Sequence, residues 1–335
     1  MIRRLLLITT LITFCLVVLG AYVRLADAGL GCPDWPGCYG QLTPHHAKED
    51  ILEAHAADPH GPVSMPQAWK EMVHRYIAML VGFLILVIAA LAWRAAARRE
   101  QSPWLPTILL GVVILQGLFG KWTVTMLLKP AIVTGHLIGG LTTLALLTWL
   151  CLRYLAPRMT AWDVEKGVRR AAVVGFVLLG VQIALGGWVS TNYAALACTD
   201  FPTCQGSLVP QMEFAHAFHI FRDLGETADG QMLPLPALTA IHWVHRVGAL
   251  IVATFLLLFA ARLMRAPGMR ALGIWLAALV SVQCLLGVAN VWFSLPLALA
   301  AAHNAGAAAL VMLMVVINFR ARQGLNATFV GGLSR

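Results

Sequence analysis

Apolar residues run in eight long blocks along this 335-residue chain, at about 5–23, 72–93, 105–126, 131–152, 171–190, 237–261, 271–293 and 298–318. Each approaches the roughly twenty residues needed to cross about 30 Å of hydrocarbon. Lipid offers no partners to open backbone groups, so these blocks are predicted to be transmembrane helices. The second and sixth open on polar and charged residues, which must lie at an interface or inside a bundle. Most connections are short. Two are long, 24–70 and 191–236, and both are rich in Pro, Gly, Asp and His.

The polar positions carry a second pattern: the chain repeats itself. Cys32-Pro33-Asp34-Trp35-Pro36-Gly37-Cys38 returns 166 positions later as Cys198-Thr199-Asp200-Phe201-Pro202-Thr203-Cys204. Leu42-Thr43-Pro44 and Leu208-Val209-Pro210 follow the two copies. Gly20 matches Gly186, Gln116 matches Gln283, Gly120 matches Gly287 and His136 matches His303; His74-Arg75 matches His245-Arg246. Four helices per copy keep both copies in the same orientation, a parallel repeat. The predicted fold is an all-α integral membrane protein. Its eight transmembrane helices form two tandem pseudo-symmetric four-helix bundles, with both termini cytoplasmic. The halves are expected at 1–152 and 171–320, joined by a cytoplasmic linker at 153–170 and followed by a tail at 321–335. Arg3-Arg4 before an apolar run suggests a signal peptide. Residues 15–23 align with the end of the fifth helix, however, so the first segment is expected to stay in the fold.

Composition agrees with the pattern. The chain is 59% hydrophobic and only 12% charged, against about 25% charged in soluble domains. The net charge of +9 does not imply a nucleic-acid partner, because 16 of the 24 Lys and Arg fall at the expected inner side, including Arg94, Arg153, Arg262 and Arg320. This is the positive-inside bias. It is that of a membrane protein with both termini in the cytoplasm and both long loops outside, and the expected location is a bacterial inner membrane.

Seven cysteines divide in two groups. Cys15, Cys151 and Cys284 fall in apolar helices and are expected to be small buried residues. Cys32 with Cys38, and Cys198 with Cys204, sit in the outer loops, where oxidation to disulfides is expected. Zinc binding is an alternative, although the spacing exceeds the usual two to four residues. A redox role is another.

Of eleven histidines, His45, His46, His55, His60, His216 and His219 lie in the outer loops and are expected to be solvent-exposed. His74, His136, His245 and His303 are expected in the first turns of the second, fourth, sixth and eighth spans. All four spans run from outside to inside, so His74 can face His136 and His245 can face His303. Ionisable residues inside a membrane usually face a functional interior. Paired imidazoles in an apolar slot suit axial ligation of haem iron; a proton pathway and structural hydrogen bonding remain alternatives. Arg75 and Arg246 are candidate propionate partners or interfacial anchors. The halves differ at one place: Glu71 stands three residues before His74, and His242 three residues before His245. Positions three apart share a helix face. Glu71 is thus a candidate base or stabiliser of positive charge, or else an acid favoured by the helix dipole.

Taken together, Gly20-Ala21-Tyr22-Val23-Arg24, Glu71-Met72-Val73-His74-Arg75, Gly135-His136, His245-Arg246, His303-Asn304 and the two cysteine pairs resemble haem A synthase. This is a membrane enzyme family of cytochrome oxidase biogenesis, and the likeness spans residues 5–320. The resemblance implies oxidation of a ring methyl of haem O to a formyl group, through a hydroxymethyl intermediate, with water as the oxygen source. It assigns substrate haem O to His74 and His136, a resident haem b to His245 and His303, and catalysis to Glu71. His242 is a second candidate ligand one turn from His245; the His-Arg register favours His245. Expected partners are haem O, a haem O synthase, an unidentified electron acceptor and the lipid bilayer, and a homo-oligomer is compatible. The competing readings are a di-haem b-type electron-transfer cytochrome, which would leave both haems unmodified, and a transporter.

Overall fold

The computed structural model describes residues 2–97, 102–155 and 165–323, and every regular element among them is helical. Eight helices are long and apolar enough to cross a membrane. They are α1 (Ile2–Leu25), α3 (Met65–Ala97), α4 (Trp104–Thr125), α5 (Pro130–Leu155), α6 (Lys166–Thr191), α8 (Leu235–Arg265), α9 (Arg270–Trp292) and α10 (Leu297–Gln323). Two short helices lie in the long connections, α2 (Lys48–Ala57) and α7 (Phe214–Ala217), with a 3-10 turn at Ala194–Leu196.

All eight apolar blocks are helices, and most extend beyond their apolar cores. Proline sets the start of every second span. Pro66, Pro130 and Pro236 fall in the first turns of α3, α5 and α8, and Pro296 immediately precedes α10. There a missing N–H costs nothing and the fixed φ favours a helix. The polar residues before the second and sixth blocks are therefore helical too, as N-terminal extensions of α3 and α8. The linker expected at 153–170 is shortened from both ends, since α5 runs to Leu155 and α6 starts at Lys166. Residues 156–164, and the tail from 324 onward, lie outside the described residues.

Contacts among the helices close two rings. Helix α1 packs on α3 and α5, with α4 between α3 and α5. Helix α6 packs on α8 and α10, with α9 between α8 and α10. The rings touch where α1 and α5 meet α6 and α10. At that seam Gly187 of α6 lets Leu137 and Thr134 of α5 approach closely, and the Thr134 and Thr191 hydroxyls are 3.2 Å apart. At its end nearer the long connections Arg24 donates to the Ser190 carbonyl at 2.9 Å and lies 4.1 Å over the Tyr193 ring, while the Tyr193 hydroxyl donates to Asp27 at 2.7 Å. Hydroxyls inside α1 are satisfied by their own helix: Thr9, Thr10 and Thr13 each donate to the carbonyl four residues back. The tight α4–α5 and α9–α10 turns each put two successive residues in the left-handed region, Leu127–Leu128 and Ser294–Leu295.

Cys151 is buried, as expected, but Cys15 and Cys284 are exposed on the helix surface. An apolar span hides such a side chain in lipid rather than in protein, a distinction that hydropathy does not make.

Gly273 fixes the approach of α9 to α8. A Cβ there would lie 2.7 Å from the Ala260 carbonyl oxygen and 2.8 Å from the Met264 nitrogen, both main-chain atoms. Gly273→Ala should therefore push the helices apart and destabilise the fold by about 1–3 kcal/mol, the usual range for overpacking. Thermal unfolding in detergent should show a lower Tm than wild type, while Gly82→Ala, whose Cβ meets nothing within 4 Å, should stay near wild type.

Candidate functional site

The four intramembrane histidines share one construction. Each imidazole lies on a glycine of the preceding transmembrane helix. A Cβ at Gly20 would come within 2.8 Å of His74 Cε1, at Gly120 within 3.5 Å of His136, at Gly186 within 3.0 Å of His245 and at Gly287 within 3.3 Å of His303. The missing side chain lets the ring lie against the neighbouring backbone. His74 and His245 sit nine and ten residues past the starts of α3 and α8, and His136 and His303 six residues past those of α5 and α10; only α3 begins well before its expected block, at Met65, so His74 lies deeper than the first turns expected. His74 and His136 lie within electrostatic range of each other, as do His245 and His303. The structure thus brings the histidines together in the pairs that the sequence proposed. All four side chains are half-buried, and Nδ1 of His74, His136 and His303 is buried without a hydrogen-bond partner among the described residues.

A buried polar nitrogen without a partner costs about 1–3 kcal/mol. Opposed imidazoles in an apolar ring are the donor set for axial haem ligation. Among the described residues no group of three or more His, Cys, Asp or Glu gathers as a free-standing metal site. The residues therefore fit haem, which needs only two axial protein ligands, better than zinc, which wants three or four.

Each half also carries a disulfide-closed loop, Cys32–Cys38 in the first and Cys198–Cys204 in the second. Both loops fold alike. Asp34 accepts from the backbone N–H of Tyr39 at 2.6 Å and Gly40 at 2.8 Å. Asp200 accepts from Gln205 at 2.7 Å and Gly206 at 2.9 Å. The Thr203 hydroxyl and these two N–H groups pull the Asp200 pKa down to about 2, below the usual carboxylate value of about 3.9. A depressed acid stabilises the folded loop above its unfolded pKa. That contribution is complete above about pH 5 and is lost as pH falls through about 2.

The two arginines hold these loops down. Arg75 Nη1 donates to the carbonyls of Asp34 (2.8 Å), Pro36 (3.3 Å) and Gly37 (2.6 Å), and Nη2 donates to Glu71. Arg246 Nη1 donates to Asp200 (2.9 Å) and Thr203 (2.8 Å), and Nη2 to Cys198 (3.0 Å). A propionate would have to share guanidiniums already committed to loop carbonyls, so the geometry favours the anchor role. Aromatic residues finish the docking: Tyr76 donates to Leu42 at 2.6 Å and Trp243 to Leu208 at 2.8 Å. These anchors were missed in the sequence, although Leu42 and Leu208 belong to the repeated motif.

Glu71 is buried, at 5% exposure, where an unpaired charge would be costly. Its Oε2 accepts the Cys32 N–H at 3.0 Å and its Oε1 accepts from Arg75. The carboxylate thus ties the helix to the root of the disulfide loop. A carboxylate offers about four lone-pair sites, so the two donors leave capacity for another. In the second half His242 takes the same place: its Nε2 accepts from Arg246 Nε at 3.2 Å. His242 therefore faces the loop anchor, and His245 faces the slot. Of the outer-loop histidines, His45, His46, His60 and His219 are exposed as expected. His55 is half-buried, with Nδ1 3.0 Å from the Val63 carbonyl, and His216 is half-buried as well.

Fold and site together define a multi-pass membrane protein with two paired-histidine centres under disulfide-closed loops. Residues 3–315 match the family described as cytochrome oxidase assembly protein (COX15-CtaA), and the chain belongs to that family. It is 42% identical over 318 residues to heme A synthase of Shewanella oneidensis, covering 94% of this chain and 95% of that protein. It is 28% identical to heme A synthase of Halalkalibacterium halodurans, over 68% of this chain and 70% of that one. Heme A synthase of Brucella ovis is 26% identical, over 94% and 90%.

The two loop disulfides leave three free thiols among the described residues. Thiol labelling under denaturing, non-reducing conditions should therefore modify only Cys15, Cys151 and Cys284. Modification of all seven cysteines would remove the staples from both loops.

Proposed function

We propose that the chain is a haem A synthase that oxidises a ring methyl of haem O to a formyl group, giving haem A for cytochrome oxidase. Substrate haem O is held between His74 and His136. A resident haem b is held between His245 and His303. The observation that carries this assignment is the difference between two otherwise matched sites. Both have glycine-backed histidines, an arginine anchor and a disulfide loop, yet Glu71 stands in one where His242 stands in the other. A carboxylate beside only one of two like centres suits a working half and a holding half.

Methyl to aldehyde is a four-electron oxidation. The first two-electron step adds the oxygen of water and gives the hydroxymethyl group, releasing two protons. The second gives the aldehyde and releases two more. His245 and His303 would hold the haem b, which when bound would supply one-electron chemistry for carrying electrons to an acceptor. Glu71, with lone pairs left beyond its bonds to Arg75 and Cys32, accepts a proton from the attacking water or stabilises positive charge at the reacting carbon. Arg75 keeps that carboxylate in place. His74 and His136 would hold the substrate haem near that carboxylate.

The same reading makes the fold a tandem pseudo-symmetric pair, residues 1–152 and 171–320, in a bacterial inner membrane. Both termini are cytoplasmic and the disulfide loops periplasmic. Haem O synthase is the expected source of substrate, and a homo-oligomer is compatible with the exposed helix faces.

The test is chromatographic separation of haems B, O and A from cells that express the chain together with a haem O source. Wild type should convert haem O to haem A. Glu71→Gln keeps size and hydrogen bonding but removes the charge. It should cut conversion by at least about 10²-fold, the usual scale for such groups, with haem O or its hydroxymethyl form accumulating. Wild-type haem A yields from Glu71→Gln would remove the carboxylate from the chemistry. No haem A from any form would refute the assignment.

A further inference from the structure

The two rings of helices close differently at one seam. In the first ring α3 and α4 pack least closely of the neighbouring helices, whereas in the second their counterparts α8 and α9 pack most closely. Three differences account for it. The offset between halves falls from 171 at His74 and His245 to 167 at Gln116 and Gln283, so the first connection is four residues longer. Met269 in the shorter turn is buried, while Ser102 at the matching position is exposed. Gly273 lets α9 rest on the main chain of Ala260 and Met264; the counterpart of Gly273 in α4 is Pro106, and the counterpart of Met264 in α3 is Trp93. Trp93 meets Trp104 edge to face at 5.8 Å and donates to the Thr107 hydroxyl at 3.1 Å, so two indoles stand where α8 and α9 touch.

Between that wedge and the histidines the first seam has a gap. Gly82, Ala89 and Trp93 share one face of α3, and the bond from Trp93 to Thr107 turns that face to α4. Pro106, Val113 and Gly117 share one face of α4, the face on which Gly273 of α9 meets α8. A Cβ on Gly82 or on Gly117 would meet nothing within 4 Å. The second half has side chains at both places, Ala253 and Cys284, and its Val280 is 3% exposed where Val113 is only half-buried. Gly117 stands three residues before Gly120, the glycine under His136, and Gly82 eight residues after His74. At 1.5 Å per residue they lie about 5 and 12 Å further toward the α3–α4 connection, so the gap starts at the histidine pair and runs that way. At its other end, on the same face as Gly117, stands Lys121. It is exposed and is the one charged residue of α4, and the second half has Val288 in its place. A cation in a membrane span is costly and marks a functional partner by default.

Haem O and haem B share a ring that bears carboxylates, and haem O adds a long apolar tail. A seam with a cation at one end and an apolar gap below it matches such an amphiphile. We propose that the α3–α4 seam is the specificity element of the substrate site: the gap at Gly117 and Gly82 takes the tail of haem O, and Lys121 pairs with a ring carboxylate at the rim. This rests on the haem assignment above. The second half, closed where α9 rests on α8 and without the cation, suits a resident haem that has no tail.

The test is a titration of the detergent-solubilised protein, purified with its resident haem from cells without a haem O source. Haem O or haem B is added, and the added low-spin absorbance reads occupancy of the first site. Wild type should bind haem O at least about tenfold more tightly than haem B, since even one methylene in an apolar pocket is worth about that much. Gly82→Leu with Gly117→Leu should fill the gap and remove the preference. Haem O affinity should fall at least about tenfold while haem B affinity stays within about twofold. If the double variant does not fold, Gly82→Leu alone decides, with the same sign. Lys121→Val, which puts the α9 type of residue into α4, should weaken both haems alike, by about tenfold. A haem O preference that survives the leucines, or an equal loss of both haems, would overturn the gap. Unchanged affinities in Lys121→Val would strike the rim contact. Either result leaves the haem assignment standing. A wild-type first site that takes up neither haem would overturn the assignment itself.

Discussion

An imidazole laid on a bare stretch of helix is the contact on which this molecule depends. Histidine inside a membrane is expensive unless its ring is packed and its nitrogens have a use. Here each ring spends one face on a glycine of the helix before it, and the glycine brings two backbones close enough to fix the ring's direction. Four such contacts, one per helix pair, set the depth of both centres. The ring-like packing of α1, α3, α4 and α5, and of α6, α8, α9 and α10, keeps the two histidine-bearing helices of each half in one bundle. The four glycines are thus part of the site as much as of the fold.

The charged groups above the rings follow from the same depth. Glu71 and Arg75 are buried in a place where neither could stand alone, and they satisfy each other and the disulfide loop together. Arg246 does the same for the second loop, with a histidine where the first has an acid. Loop, helix and centre are therefore one mechanical unit in each half. A change in the loop's anchorage reaches the carboxylate by two routes, directly through the Cys32 amide and through Arg75, which holds both the loop carbonyls and Glu71.

Much of this was legible in the sequence, because the signals were long or repeated. The eight spans stand out because lipid demands about twenty apolar residues in a row. The cysteine pairs and the four histidines stand out because they occur twice in register. The depth of His74 was not legible. Hydropathy put the second block at about 72, whereas α3 begins at Met65, with Pro66 in its first turn. The partners of Arg75 and Arg246 were hidden for another reason. They are backbone carbonyls of Asp34, Pro36, Gly37, Cys198, Asp200 and Thr203, and a carbonyl has no residue type to read. Whether Cys15 and Cys284 face protein or lipid was hidden as well, since both surroundings are apolar.

The most direct measurement of the account is the low-spin haem signal, read by electron paramagnetic resonance, in purified protein carrying His245→Ala or His74→Ala. If one pair holds a resident haem and the other an exchangeable one, His245→Ala should abolish the signal that survives purification, and His74→Ala should leave it intact. An unchanged signal in His245→Ala, or equal loss in both variants, would contradict the division of labour between the two halves.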